Sequence, residues 1–185
     1  GLGDVYKRQI EDHSGKMQIL VSKDTLEIST PKGLTMWYNQ RLTGDYEISY
    51  HVKMPMQGSQ YDRLSDLNCF WGANDPENPG NLFARSGWRN GIFQHYKTLT
   101  LFYVGYGGNH NSTTRFRRYF GSTAKTDDTL SRPVIKEYTD KAHLLLPDQW
   151  YHIQIRVEKG ITSYRINGEE LFRLSIKERE GDGHF

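Results

Sequence analysis

One cysteine in 185 residues, Cys69, excludes an internal disulfide framework, and its place in an apolar run makes it a buried, inert thiol. Long hydrophobic runs are missing as well. With no stretch of about 18 apolar residues, nothing in the chain reads as a membrane span. Charge of one sign is equally scarce: 24 Lys and Arg against 22 Asp and Glu leave +2, which argues against a nucleic-acid partner held by phosphate neutralisation. No stretch has the apolar spacing of a long amphipathic helix. No His/Cys spacing for zinc occurs either.

What remains is alternation. In DYEISYHVKMP, Tyr46, Ile48, Tyr50, Val52 and Met54 point to one face and Glu47, Ser49, His51 and Lys53 to the other, a half-buried strand ended by Pro55. Tyr151, Ile153, Ile155 and Val157 repeat the pattern, with Trp150 read as core at the strand start. Lys159-Gly160 supplies a turn, and Asn167-Gly168 is the strongest short hairpin signal. MQILV and TLEIST read as two more strands separated by Ser22 to Asp24. About ten short strands in one domain imply two sheets, because each half-polar sheet must cover its apolar face. The fold class is therefore all-β, a sandwich of two antiparallel sheets. Residues 56–66, 74–81 and 122–143 are polar and broken by Gly or Pro, and read as long loops.

Both ends are abrupt. GLGDVYKRQ resembles translated sequencing-adapter sequence, so Gly1 to Gln9 are set aside as dispensable and 10–185 is taken as one domain. GDGHF stops where a β domain ordinarily continues, so the expectation is a piece of a longer gene, with its last strand and any export signal outside it.

The series TMWYNQRLTGDYEISYHVKM, SDLNCFWGANDP, RNGIFQHYKTLTLFYVGYGGNHNSTTRFRRY and PDQWYHIQIRVEKGITSYRINGEELF resembles a family of concanavalin A-like jelly-roll domains of unknown function from bacterial polysaccharide-utilisation loci. More distantly, the R-x-G-x-aromatic run before a Tyr/Arg-rich strand is similar to galectin-like proteins of rhamnogalacturonan-utilisation clusters. The resemblance implies a jelly roll, a glycan context and a periplasmic or extracellular location. It supplies no catalytic residues.

Sugars present aliphatic faces ringed by hydroxyls, so their sites combine aromatic platforms with planar polar side chains. FYVGYGGNHNSTTRFRRYF (102–120) has that composition. Tyr103 and Tyr106 fall on opposite faces of a strand, so at least one is expected on an open face. Arg115 and Arg117, at i and i+2, converge on one side and could clamp a uronate carboxylate. Platform and hydrogen-bonding roles fall to Trp37, Trp71, Arg89, Asn109, His110, Asn111 and Arg115, with Trp88 a further platform. Asp75, Glu77 and Asn78 make an oxygen-rich loop with the chemistry of a structural Ca²⁺ site; no other cofactor is implied.

Two readings stand. The first is an enzyme cleaving an acidic plant or algal polysaccharide by β-elimination, with Arg117 neutralising the carboxylate and His95, Tyr103 or Tyr106 moving the proton. The Glu-x-Asp-x-x-Glu pattern of jelly-roll glucanases is absent, which disfavours a two-carboxylate glycosidase. The alternative is a noncatalytic carbohydrate-binding module attached to a glycan-degrading enzyme.

Overall fold

The structure, a computed structural model, describes residues 8–122 and 128–185. The chain opens with four short strands, β1 (Arg8–Glu11), β2 (Gln18–Ser22), β3 (Thr25–Ser29) and β4 (Thr35–Tyr38). β1 pairs with β4, and β2 and β3 form a separate hairpin. Arg8 and Gln9 are thus the first half of a strand, opposite Tyr38 and Trp37. Then follow β5 (Tyr46–Lys53), β6 (Leu67–Asn74), β7 (Thr100–Gly107), β8 (Thr113–Phe120), β9 (Val134–Tyr138), β10 (Trp150–Glu158), β11 (Ile161–Ile166) and β12 (Glu169–Ser175). They build two antiparallel four-stranded sheets, ordered β12-β11-β10-β5 and β6-β7-β8-β9. This is the all-β sandwich that the alternation implies.

The main core lies between the sheets. Trp71, Phe102, Val104, Tyr106 and Phe116 meet Ile153, Ile155, Val157, Tyr164 and Phe172. Trp71 lies parallel to Phe116, with centroids 5.9 Å apart. Its indole N–H donates to Thr162 Oγ1 at 2.9 Å, which satisfies the one polar atom of a side chain with no exposure. Ile48, Tyr50 and Val52 pack against this core but stay half-buried, because β5 is an edge strand.

A second core covers the other face of the β6–β9 sheet. Trp37 from β4 stacks on Phe70 and packs beside Tyr96, joined by Leu82, Leu99, Leu101, Tyr103 and Tyr119. Short helical turns between residues 82 and 98 supply much of this cover. β7 is consequently buried on both sides over nearly its whole length.

Trp150 is half exposed rather than core. It shares the solvent phase of β10 with His152, Gln154 and Arg156, opposite buried Tyr151 and Ile153, and the Lys53 amine sits 4.9 Å from its ring centroid. The stretch expected as one loop over 122–143 carries β9, which pairs with β8 through Thr114↔Tyr138, Arg115↔Glu137 and Phe116↔Lys136. As an exposed edge strand it has no alternation of burial to read.

Candidate functional site

Register places the candidate groups in rows across the second sheet. Asn68, Gly105, Arg115 and Glu137 are successive cross-strand partners, and Phe70, Tyr103 and Arg117 form the adjacent row. Residues two apart on a strand share a face. Tyr103 and both arginines therefore stand together on the side away from the main core. The helical turns and β4 cover one half of that face. The other half opens into a broad cavity of about 2860 Å³ lined by Asn68, Tyr103, Gly105, Asn109, Arg115 and Arg117.

Tyr103 lies across Gly105 and donates its hydroxyl to Asn68 Oδ1 at 3.4 Å. It is only 8% exposed. Burial pushes its phenol above the ordinary tyrosine range, outweighing the Arg117 charge, which pulls the other way. Arg117 Nη1 donates to the Arg132 carbonyl at 2.6 Å. Among the described residues, no carboxylate pairs with Arg117. Arg115, by contrast, donates through Nε to Glu137 Oε1 at 3.1 Å. Phe93, 41% exposed, tilts over Tyr103 with centroids 5.9 Å apart and lines the same cavity.

The loop 56–66 forms a wall. The Asp62 carboxylate accepts the backbone N–H groups of Gln57, Gly58 and Ser59 at 2.9 to 3.0 Å. Ser65 Oγ and the Asp66 N–H both donate to the Gly107 carbonyl. So fixed, the loop presents Tyr61 and Arg63 to the cavity. Asn109, His110 and Asn111, which turn β7 into β8, all have positive φ, at 50°, 58° and 58°. Asparagine tolerates this region better than most side chains, yet three in succession store strain of the kind found at functional loops. Asn111 is spent on the scaffold: its amide exchanges two hydrogen bonds with the Leu145 backbone. Asn109 faces the cavity, whereas His110 is exposed at the tip.

Several expected site residues lie elsewhere. Tyr106 is on the opposite face, 2% exposed in the main core and edge-on to Tyr151, with its phenol pushed up by burial. Neither tyrosine is freely exposed: Tyr106 is covered by the facing sheet, and Tyr103 packs into the second core with only its edge toward the cavity. Trp37 and Trp71 are core, not platforms. Arg89 is wholly buried; its guanidinium pairs with Glu11, Nη2 donating to Oε2 at 2.9 Å, and also donates to the Leu82 carbonyl. It braces β1 and cannot reach a ligand. His95 Nδ1 donates to the Trp88 carbonyl at 2.7 Å, and its ring stacks on exposed Trp88 at 4.2 Å. The pair lies outside the cavity lining. Asp75 and Glu77 together hold the Arg85 guanidinium, and Asn78 donates to Asp75. The cation these oxygens enclose is a side chain.

Phe93, Asn68 and Tyr61 went unnoticed in the sequence. Only register with β7, or loop closure onto it, brings them to the site.

A family model described as a domain of unknown function, DUF6250, matches residues 28–185. No curated protein matches in sequence. Among solved structures, the chain is similar to a protein of unknown function with a galectin-like fold from Bacillus subtilis. That likeness has a TM-score of 0.67 at 16% identity, covering 98% of this chain and 82% of the other. It is also similar to the carbohydrate-binding module CBM66 from Bacillus subtilis, with a TM-score of 0.55 at 7% identity, covering 96% and 84%. At these identities the likeness establishes the fold.

Proposed function

The chain belongs to DUF6250, a family of domains of unknown function, and from that starting point we propose that it is a noncatalytic carbohydrate-binding domain. Its ligand is an acidic plant or algal glycan, held on the open half of the β6–β9 sheet, and its location is periplasmic or extracellular. One observation carries the acidic part: Arg117 lines the cavity beside Tyr103 and its described partner is a carbonyl rather than a carboxylate. Among the described residues no carboxylate takes up its charge, which suits an anionic ligand. A uronate carboxylate accepts two parallel N–H bonds from such a fork. Phe93 offers an apolar face to a sugar ring, while Asn68 and Asn109 offer hydroxyl partners. The fold shared with a carbohydrate-binding module supports the reading.

The lyase alternative needs a phenol or imidazole that moves a proton beside the arginine. Tyr103 is buried with a raised pKa, Tyr106 is on the other face and His95 is in a separate surface stack. Binding without turnover suits this arrangement better.

The test is a panel of uronate-containing and neutral polysaccharides, scored by affinity electrophoresis and by ultraviolet absorbance of unsaturated products. Retardation by acidic polymers without rising absorbance is expected. Rising absorbance would restore the lyase reading, and retardation by neutral polymers alone would remove the acidic ligand.

A further inference from the structure

Ile48, Tyr50 and Val52 of β5 and Tyr151, Ile153 and Ile155 of β10 turn to the main core, so their alternate neighbours stand on the outer face of that sheet. There the register sets His51 directly opposite His152. Their rings stack nearly parallel, inclined by 10° with centroids 4.3 Å apart. Ser49 shares the face, and its Oγ lies 2.7 Å from His152 Nε2. His51 is exposed and His152 half-buried.

Two imidazoles on paired strands can act as one ligand pair. Residues directly opposite each other carry β-carbons about 4.5 to 5.5 Å apart, and a cation bound to two imidazole nitrogens at about 2.0 to 2.1 Å holds those nitrogens about 3 Å apart. Turning the rings about their broad χ2 torsions makes the lone pairs converge. A ligating histidine ordinarily donates its second ring N–H to a neighbour, which fixes its tautomer. Ser49 Oγ is placed to accept Nε2–H from His152, leaving Nδ1 with the lone pair. Among the described residues neither His51 nitrogen has a hydrogen-bond partner, so this ring can turn. Elsewhere, His13, His95 and His184 donate to backbone carbonyls, and both His143 nitrogens are bonded. The pair at His51 and His152 is different in keeping nitrogen lone pairs for a cation.

We propose that His51 and His152 form a two-histidine site for a divalent transition-metal cation, taking Cu²⁺ in preference to Zn²⁺. Imidazole nitrogens suit both cations, and the general affinity series puts copper first. Mg²⁺ and Ca²⁺ require oxygen ligands. The carboxylate next along this face, Glu47, is engaged by Gln154 and Arg156. Among the described residues no group of three or more His, Cys, Asp or Glu could hold a metal ion, so the protein supplies two ligands and the remaining positions go to water or another oxygen ligand. Such a site exchanges its metal, unlike the closed four-ligand sites that hold a fold together. The ligands meet only through the register of β5 with β10, which is why no spacing in the sequence signals them. The inference stands independently of the glycan proposed above.

Titration calorimetry with CuCl₂, ZnCl₂ and MgCl₂ tests it on the parent, His51→Ala and His152→Ala. The parent is expected to bind Cu²⁺ most tightly, Zn²⁺ more weakly and Mg²⁺ not at all. Each variant should lose at least about tenfold in Cu²⁺ affinity, since removing even an outer-shell partner of a metal ligand costs roughly 10- to 100-fold. Both side chains lie outside the two cores, so circular dichroism should report an unchanged fold. A second reading needs no variant: paramagnetic Cu²⁺, added in small amounts to the parent, should broaden the imidazole proton resonances of His51 and His152 before those of any other histidine. Equal Cu²⁺ affinity in the parent and either variant, or first broadening at another histidine, would overturn the proposal.

Discussion

Tyr103 lies flat along its own strand, its ring crossing Gly105: a β-carbon placed on Gly105 would come 2.2 Å from the Tyr103 hydroxyl oxygen. Only a residue without a side chain lets the phenol reach Asn68. Gly105→Ala should therefore swing the ring into the cavity and weaken glycan binding by about tenfold, or about 1.4 kcal/mol. Titration calorimetry beside a circular dichroism spectrum checks this; unchanged affinity in a folded variant would remove Tyr103 from the site floor.

Tyr→Phe changes separate binding from catalysis. Tyr106→Phe touches only the main core and should leave affinity unaltered, while Tyr103→Phe loses one long hydrogen bond and should keep most of it. If either phenol were an acid or base, turnover on an acidic polymer would fall about 10²-fold or more. The present account predicts no turnover to lose.

The Glu11–Arg89 pair joins residues 78 positions apart with both side chains fully buried. Removing one partner strands the other charge in the interior, which costs about 3 to 5 kcal/mol. Chemical denaturation of Glu11→Gln should show a loss of that order without a change in glycan affinity measured below the transition.

A pH dependence is built into the segment after β9. His143 is held between Glu169, 2.7 Å from Nε2, and Asp140, 2.7 Å from Nδ1. The Glu169 hydrogen bond is the main cause that raises the imidazole pKa, with Asp140 adding to it, while the bond to His143 lowers that of Asp140. A raised histidine pKa stabilises fully below the ordinary value of about 6.5 and is lost as pH climbs through the folded value; a depressed aspartate pKa stabilises above about 3.9 and is lost as pH falls. The clasp is thus strongest between roughly pH 4 and 6.5. The melting temperature of His143→Ala should fall below that of the parent in this window and converge with it in alkaline buffer.

Alternation made β5, β10 and β11 legible, and Asn167-Gly168, with φ of 50° and 84°, turns β11 into β12 as its chemistry dictates. The spacing of Arg115 and Arg117 likewise placed them on one face of their strand, but that Tyr103 rather than Tyr106 shares it follows only from the β7–β8 register. What strand periodicity cannot report is the cover on a sheet's far side. The short turns around Tyr96 and the β1-β4 pair bury Trp37 and Tyr103, and nothing local in FYVGYGG signals them. Arg89 looked like a ligand contact because its partner, Glu11, is distant in sequence. Trp150 misled because its bulk suggested core, whereas its phase along β10 set it outside. Phe93 escaped notice because a 3₁₀ turn gives one aromatic residue no periodic context.

Binding of a uronate oligosaccharide to Arg117→Ala tests the central claim most directly. Removing a charge-assisted hydrogen bond costs about 1.5 to 3 kcal/mol, roughly a tenfold to hundredfold loss of affinity. The loss should shrink as salt rises and vanish when the ligand carboxylate is reduced to an alcohol. An unchanged affinity, or the same deficit for acidic and reduced ligands, would contradict recognition of an acidic glycan by Arg117.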